Sequence, residues 1–322
     1  MRLLTLIFVV ASLGFSGPAP SQANRSNGQN QASEQPKRED WREHWRNATV
    51  SLGTVARDPL INRDYFSAVA SAVIVSTDEH TAYLVTAKHV FCDPTRRPFW
   101  HPHSLNIRFA WQDHRSIYEV TGRSIVLQAD SGANTWFALD DDSDIAAVPF
   151  QDIYSQLREE ERRDNYDSAS LAEGEPYEGE SIFVLGYPGI AGNDRLVRPI
   201  LRQGIVAWTD PKHPGESPFL VDANIFPGNS GGPVIQVPIG LMKDGSYNFF
   251  GGGHLNLLGI VSQTGEQDIS TVISHPGMPQ IETRTPIVGI GGLGIIEPAS
   301  KVQRLITNIK DGKAYAGTCS AR

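Results

Sequence analysis

One serine lies in a glycine-rich turn whose composition suits nucleophilic catalysis. Residues 226–234 read FPGNSGGPV, between two short apolar runs. Glycine allows backbone angles that a Cβ would block, so Ser230 can project its hydroxyl while neighbouring N–H groups point into the same space. An incidental serine in a β-turn is the plain alternative, but the whole motif is too specific for it. The turn therefore predicts a nucleophile beside an anion-binding hole.

A serine hydroxyl needs a base, and the base needs a carboxylate that orients it. An apolar run at 83–87 leads into His89, and Asp144 opens a second apolar run at 144–148. The order along the chain is His, Asp, Ser, with gaps wide enough for a fold of two lobes. Three nearby carboxylates compete with Asp144 for the orienting role: Asp140, Asp141 and Asp142.

Three short blocks carry a family resemblance: TAKH at 86–89, DIA at 144–146 and GNSGGP at 228–233. They resemble the signature blocks of chymotrypsin-fold serine proteases, and the HtrA-like bacterial trypsin-like peptidases most closely. Weaker similarity extends over about 48–309. The resemblance implies an all-β fold of two antiparallel β-barrels of the chymotrypsin/trypsin type with a C-terminal helix. It also selects Asp144, because the family's acid leads directly into an apolar strand.

The resemblance implies an exported serine endopeptidase that hydrolyses protein or peptide substrates through an acyl-enzyme intermediate. Ser230 is then the nucleophile, His89 the general base and Asp144 the orienting acid, while the N–H groups of Gly228 and Ser230 form the oxyanion hole. A catalytically silent or gated binding protein on the same fold is the alternative. An esterase of the α/β-hydrolase type would need the order Ser, acid, His, which this chain lacks.

Four residues are expected along the primary specificity pocket by the same resemblance: Asn224, Ile225, Ser262 and Gln263. Asn224 stands where a preference for Arg or Lys would require an aspartate. Ile225 narrows the pocket, so we expect a preference for small or medium apolar side chains.

Asn229 bears on activation. Zymogens of the trypsin type carry an aspartate at this position, which pairs with a newly cut N-terminus. An asparagine has no charge for that pair, so activation by N-terminal cleavage is not expected.

Composition argues against several other functions. The net charge of −8 argues against a nucleic-acid partner. Three histidines lack the spacing of metal ligands: His101, His103 and His114. The glycine run at 251–254 lacks the Lys and Ser/Thr of a phosphate loop. We predict no metal and no cofactor.

The N-terminus resembles a secretory signal, with Arg2 before an apolar run and small residues before position 24. We predict a signal peptide at 1–23, a polar and disordered leader at 24–46, no membrane span after cleavage, and a secreted or periplasmic location. An uncleaved anchor is the alternative. Cys92 and Cys319 suit an exported protein with at most one disulfide, and the sequence leaves their pairing open.

The protease domain is predicted at 47–322. We expect an N-terminal barrel at about 47–150, a linker at about 151–178 that includes a surface helix, and a C-terminal barrel and helix at about 179–312. Short apolar runs split by turn residues favour the barrels. Apolar spacing at 300–310 predicts the closing helix, after which no room remains for a PDZ domain. The segment 264–292 is expected to be a long loop.

Overall fold

Antiparallel β-structure dominates the computed structural model, which describes most of the chain from Trp41 to Ser320. The described residues are 41–60, 62–78, 81–96, 98–112, 118–150, 153, 175–189, 196–237, 240–241, 245–248, 255–264, 266–273, 281–288 and 292–320. The predicted signal peptide, most of the leader, the glycine run and the linker helix apart from Ile153 lie outside them.

Three helices and eighteen strands make up the described fold. They are α1 (Trp41–Ala48), β1 (Thr49–Asp58), β2 (Arg63–Asp78), β3 (Thr81–Thr86), α2 (Lys88–Phe91), β4 (Ser104–Gln112), β5 (Tyr118–Val126), β6 (Phe137–Ala138), β7 (Ala146–Pro149), β8 (Ser181–Gly186), β9 (Ile200–Trp208), β10 (Phe219–Asp222), β11 (Pro233–Gln236), β12 (Gly240–Leu241), β13 (Tyr247–Asn248), β14 (Leu257–Thr264), β15 (Glu266–Ile273), β16 (Ile281–Val288), β17 (Leu293–Pro298), α3 (Ala299–Lys310) and β18 (Tyr315–Ala316).

The N-terminal lobe is an eight-stranded sheet in the order β18-β6-β7-β3-β2-β1-β4-β5. Its central strands are apolar on both faces because both faces are covered. On β2, Ala72 and Ile74 point into the lobe's own core, whereas Val73 and Val75 point into a second core shared with the C-terminal lobe. The two-residue period of a strand thus turns one apolar run into two buried surfaces.

The C-terminal lobe is a closed six-stranded barrel in the order β10-β17-β14-β11-β8-β9. On β8, Ile182 and Val184 fill the barrel, and Leu185 packs into the shared core. Helix α3 covers that core with three apolar residues at helical spacing: Val302, Leu305 and Ile306. Helix α1 contributes Trp45 to the same core.

The predicted fold class is confirmed, including the C-terminal helix, although the N-terminal lobe forms a half-barrel sheet and only the C-terminal lobe closes among the described strands. The expected loop at 264–292 instead contains the hairpin β15–β16, with eight paired positions. Helix α1 overlaps the last six residues of the segment assigned to the leader, so folded structure in that segment reaches back to Trp41. Within the described chain, no helix has the length and apolar character to cross a bilayer.

Candidate active site

Strand pairing brings His89 and Asp144 together. Strands β3 and β7 are antiparallel, with Thr86 opposite Ala146, so the residues just after β3 meet those just before β7. Asp144 Oδ2 lies 2.7 Å from His89 Nδ1, and Asp144 Oδ1 accepts the backbone N–H of His89 at 2.9 Å. The backbone N–H of Lys88 donates to the Asp144 carbonyl at 3.2 Å. These contacts fix both the position and the rotation of the imidazole.

The electrostatic environment makes His89 a stronger base. Burial acts to lower the pKa of His89, but the hydrogen bond and charge of Asp144 and the charge of Asp93 outweigh burial and raise that pKa above its ordinary value. An imidazole held this way accepts a proton from a hydroxyl more readily.

Asp144 is also held by the C-terminal lobe. The Ser262 hydroxyl donates to Asp144 Oδ2 at 2.6 Å. The backbone N–H of Asp144 donates to Glu297 Oε1 at 2.9 Å, and Glu297 Oε2 in turn pairs with Lys301 Nζ at 2.7 Å. The side chain of Glu297 is only 5% exposed. A buried carboxylate therefore supports the backbone of the candidate acid.

The three rival carboxylates lie at the surface. Asp140, Asp141 and Asp142 are all exposed. Asp141 accepts hydrogen bonds from Ser143 and pairs with Arg304. Among the four acids, it is therefore Asp144 whose carboxylate the structure places on the His89 ring.

The nucleophile loop, residues 223–232, connects β10 to β11. Gly231 has a φ of +80°, and a Cβ at this position would overlap with Thr86 Oγ1 and the carbonyl O of Ser71. Its N–H donates to the Val261 carbonyl at 2.6 Å. The loop is thus wedged between the two lobes, and only glycine fits at the position after Ser230.

Two carbonyls in this loop set the direction of the candidate oxyanion donors. The Pro227 carbonyl accepts the Gly189 N–H at 3.0 Å, and the Asn229 carbonyl accepts the Gly232 N–H at 2.8 Å. In a trans peptide the N–H of the following residue points away from the carbonyl O, so these two carbonyls set the directions of the Gly228 and Ser230 N–H groups. Within the described chain, the N–H groups of Gly228 and Ser230 donate to no protein acceptor. Both donors remain available for an oxyanion.

His89, Asp144 and Ser230 line one cavity of about 1080 Å³. Among the described residues, no hydrogen bond joins Ser230 Oγ to His89. Contacts between nucleophile and base are often long in the absence of substrate.

The trypsin-like peptidase domain family matches residues 70–240, just over half of the chain. The chain belongs to the trypsin-like peptidase family. A solved structure that it resembles is the serine endoprotease from Yersinia pestis, with 16% sequence identity, a TM-score of 0.41 and coverage of 85% of this chain and 68% of that one. No curated protein matches the sequence.

The four residues predicted for the specificity pocket of this trypsin-like peptidase separate into two pairs. Ser262 and Gln263 line the cavity. Ile225 is 1% exposed and belongs to the core of the C-terminal barrel, while Asn224 is exposed with a φ of +49°. Asn224 and Ile225 are not among the residues that line the cavity.

Several residues of the site carried no recognisable signal in the sequence. Ser71 contacts the carbonyl of Gly228, and Glu297 contacts the backbone N–H of Asp144. Each contact joins one lobe to the other, and no local motif encodes it. Cys92 lines the cavity and forms a disulfide with Cys319, the pairing that the sequence left open. In the part of the chain that the structure describes, no group of three or more His, Cys, Asp or Glu side chains is placed to hold a metal ion.

Proposed function

We propose that this serine protease is an exported endopeptidase that cleaves peptide bonds with Ser230, His89 and Asp144 through an acyl-enzyme. The observation that carries the proposal is the 2.7 Å contact between His89 Nδ1 and Asp144 Oδ2 at the wall of the cavity that Ser230 also lines. Membership of the trypsin-like peptidase family supports it.

The chemistry proceeds in two halves. Ser230 Oγ attacks the substrate carbonyl carbon and passes its proton to His89, whose imidazolium Asp144 stabilises. The N–H groups of Gly228 and Ser230 bind the oxyanion, and each such donor contributes about 10²–10³ in rate. His89 then protonates the leaving amine as the C–N bond breaks, which leaves an ester on Ser230. In the second half, His89 deprotonates a water that hydrolyses this ester.

Protein or peptide segments are the proposed substrates. Ser262 and Gln263 line the cavity beside Ser230, together with the apolar Ile295.

A gated binding protein is the second candidate, and one observation favours it. Ser230 Oγ makes no hydrogen bond to His89 within the described residues. A protein in which Ser230 Oγ never comes within hydrogen-bond distance of His89 would bind peptides without cleaving them.

Labelling with a fluorophosphonate probe separates the two candidates. We expect the mature protein to be labelled at Ser230 and to hydrolyse casein, whereas Ser230→Ala does neither and keeps the melting temperature of the parent. The matched control is Asp141→Asn, which changes a rival carboxylate and should retain activity. Labelling elsewhere, or casein turnover by Ser230→Ala, would show that another group is the nucleophile. Mass spectrometry of the exported protein should show that residues 1–23 have been removed.

A further inference from the structure

Ser71 lies within β2 and is completely buried against the nucleophile loop. Its backbone N–H donates to the carbonyl O of Ser230 at 2.8 Å. Its hydroxyl donates to the carbonyl O of Gly228 at 2.7 Å and accepts the backbone N–H of Tyr187 at 2.9 Å. One residue of the N-terminal lobe thus holds the carbonyls of both proposed oxyanion donors.

The Gly228 carbonyl is a point at which the loop needs support. Gly228 has a φ of +95° and no side chain, so its two flanking peptide planes can rotate at little cost. The plane before Gly228 is held by the bond from Gly189 N–H to the Pro227 carbonyl. The plane after it is held by the Ser71 hydroxyl. The Gly228 N–H lies in the plane before Gly228, and the Ser71 bond prevents rotation of the plane after it, which links this donor to Ser230. With both planes held, the Gly228 and Ser230 N–H groups keep their relative orientation.

Asn229 does not supply this support through a charge. Asn229 is 2% exposed, and its Nδ2 has no hydrogen-bond partner among the described residues. Asn229 therefore forms no ion pair that could fix the loop. In this chain the hydrogen bonds of Ser71 hold the loop instead.

We propose that Ser71 is a positioning residue whose hydroxyl, bridging Gly228 O and Tyr187 N–H, keeps the oxyanion hole assembled without an activating cleavage. The proposal rests on the proposed peptidase function, since it concerns the same site. Ser71 touches neither substrate nor reacting atoms, and it acts by holding the peptide plane that links the Gly228 N–H to Ser230.

A purely structural role predicts a different result from a positioning role. Loss of a buried hydroxyl destabilises the fold when it leaves its two hydrogen-bond partners unsatisfied. That loss alone lowers the fraction of folded protein but leaves the turnover of each folded molecule unchanged. Displacement of an oxyanion donor lowers kcat itself, because the donor acts only in the transition state.

The experiment compares Ser71→Ala with Ser51→Ala. Ser51 is a matched control because it lies directly opposite Ser71 on β1, is also buried, and has a hydroxyl with no partner among the described residues. Active-site titration with the fluorophosphonate gives the folded, reactive fraction. Casein hydrolysis gives kcat and KM for that fraction, and the second-order labelling rate reports the oxyanion hole independently.

We expect Ser71→Ala to lower kcat by about 10²-fold, the loss typical of a group displaced by about 1 Å, with KM changed by less than about threefold. The labelling rate should fall in parallel, because the phosphonyl oxygen occupies the same hole. Ser51→Ala should stay within about twofold of the parent in both rates. Equal kcat and labelling rates in Ser71→Ala and the parent would overturn the proposal.

Two further readouts keep the test decisive. If Ser71→Ala does not fold, Ser71→Cys replaces the hydroxyl by a much weaker donor of similar shape. The weaker hydrogen bond to the Gly228 carbonyl should lower kcat below that of the parent, and an unchanged kcat would overturn the proposal. Mass spectrometry verifies that Cys92 and Cys319 remain paired in that variant. Failure of the parent itself to be labelled at Ser230 would instead refute the proposed peptidase function.

Discussion

At the residue scale, the base of the candidate triad responds to two carboxylates. Asp144 contacts the ring of His89, whereas Asp93 acts on it through its charge. Burial acts to raise the pKa of Asp93, but hydrogen bonds from Thr95 and Arg96 outweigh burial and lower that pKa below its ordinary value. Asp93 is therefore ionised at neutral pH. Asp93 also lines the cavity. Asp93 can therefore raise the pKa of His89 through its charge, while Asp144 positions the ring.

We predict that Asp93→Asn moves the acid limb of the kcat/KM profile to lower pH. His89 must be neutral to accept a proton, so activity falls as the pH falls through its pKa. That pKa is raised in the folded protein, and the Asp93 charge contributes to the increase. Asparagine retains an acceptor for the Thr95 and Arg96 bonds and removes only the charge. The measurement is casein hydrolysis from pH 5 to pH 9 (an approximate range around the ordinary histidine pKa).

The control for this profile is Asp130→Asn. Asp130 is an exposed turn residue that is not among those lining the cavity, so its loss should leave the acid limb in place. An acid limb that stays fixed or rises in Asp93→Asn would contradict the assignment of His89 as the titrating base.

Individual residues differ in how well the sequence predicts their place. His89, Asp144 and Ser230 were proposed because their chemistry requires particular residue types within short motifs, and the structure lines one cavity with all three. Ser71 and Glu297 could not be found in the same way. Serine and glutamate are common, and their contacts depend on which strands pair and how the two lobes meet.

At the element scale, the junction between β17 and α3 supports the backbone of Asp144. Lys301 stands in the first turn of α3, where the helix dipole disfavours a cation. Its pairing with Glu297, at 14% and 5% side-chain exposure, accounts for a lysine at this position. Strand β17 and helix α3 thus carry an ion pair whose carboxylate accepts the backbone N–H of the candidate acid.

We predict that Lys301→Met destabilises the protein by about 3 kcal/mol, because it leaves the Glu297 carboxylate buried without its cation. The control is Lys313→Met, which removes an ion pair with Asp311 that is 71% and 47% exposed. That change should cost less than about 1 kcal/mol. Urea unfolding followed by circular dichroism measures both. Equal effects of the two changes would show that the Glu297–Lys301 pair is not buried in solution.

Among the elements, helix α3 was predictable and the hairpin β15–β16 was not. The spacing of Val302, Leu305 and Ile306 matches one helical face, and the structure buries that face. In the segment 264–292, glycine and proline alternate with short apolar runs, so local pattern alone favoured a loop. Pairing across eight positions supplies the order that the pattern lacked.

At the scale of the whole molecule, the end of the chain returns to the N-terminal lobe. Strand β18 pairs with β6, and the N–H of Gly317 donates to the Trp136 carbonyl at 2.8 Å. The disulfide then links Cys319 to Cys92, which follows α2 and the candidate base. The sequence could not decide this pairing, because the proximity of the two cysteines depends on the complete fold. Such a bond suits an oxidising compartment, which agrees with the proposed export.

We predict that the double variant Cys92→Ser/Cys319→Ser unfolds at a lower temperature than the oxidised parent. A covalent link between residues 227 positions apart restricts the unfolded chain strongly, and loss of such a link costs roughly 2–5 kcal/mol. For a domain of this size that corresponds to a fall of roughly 5 °C or more in Tm. Dithiothreitol should lower the Tm of the parent by a similar amount and leave the double variant unchanged. Equal Tm values for the oxidised parent and the double variant would mean that the pairing of β18 with β6 already holds the tail, and that the disulfide adds nothing to the stability of the fold.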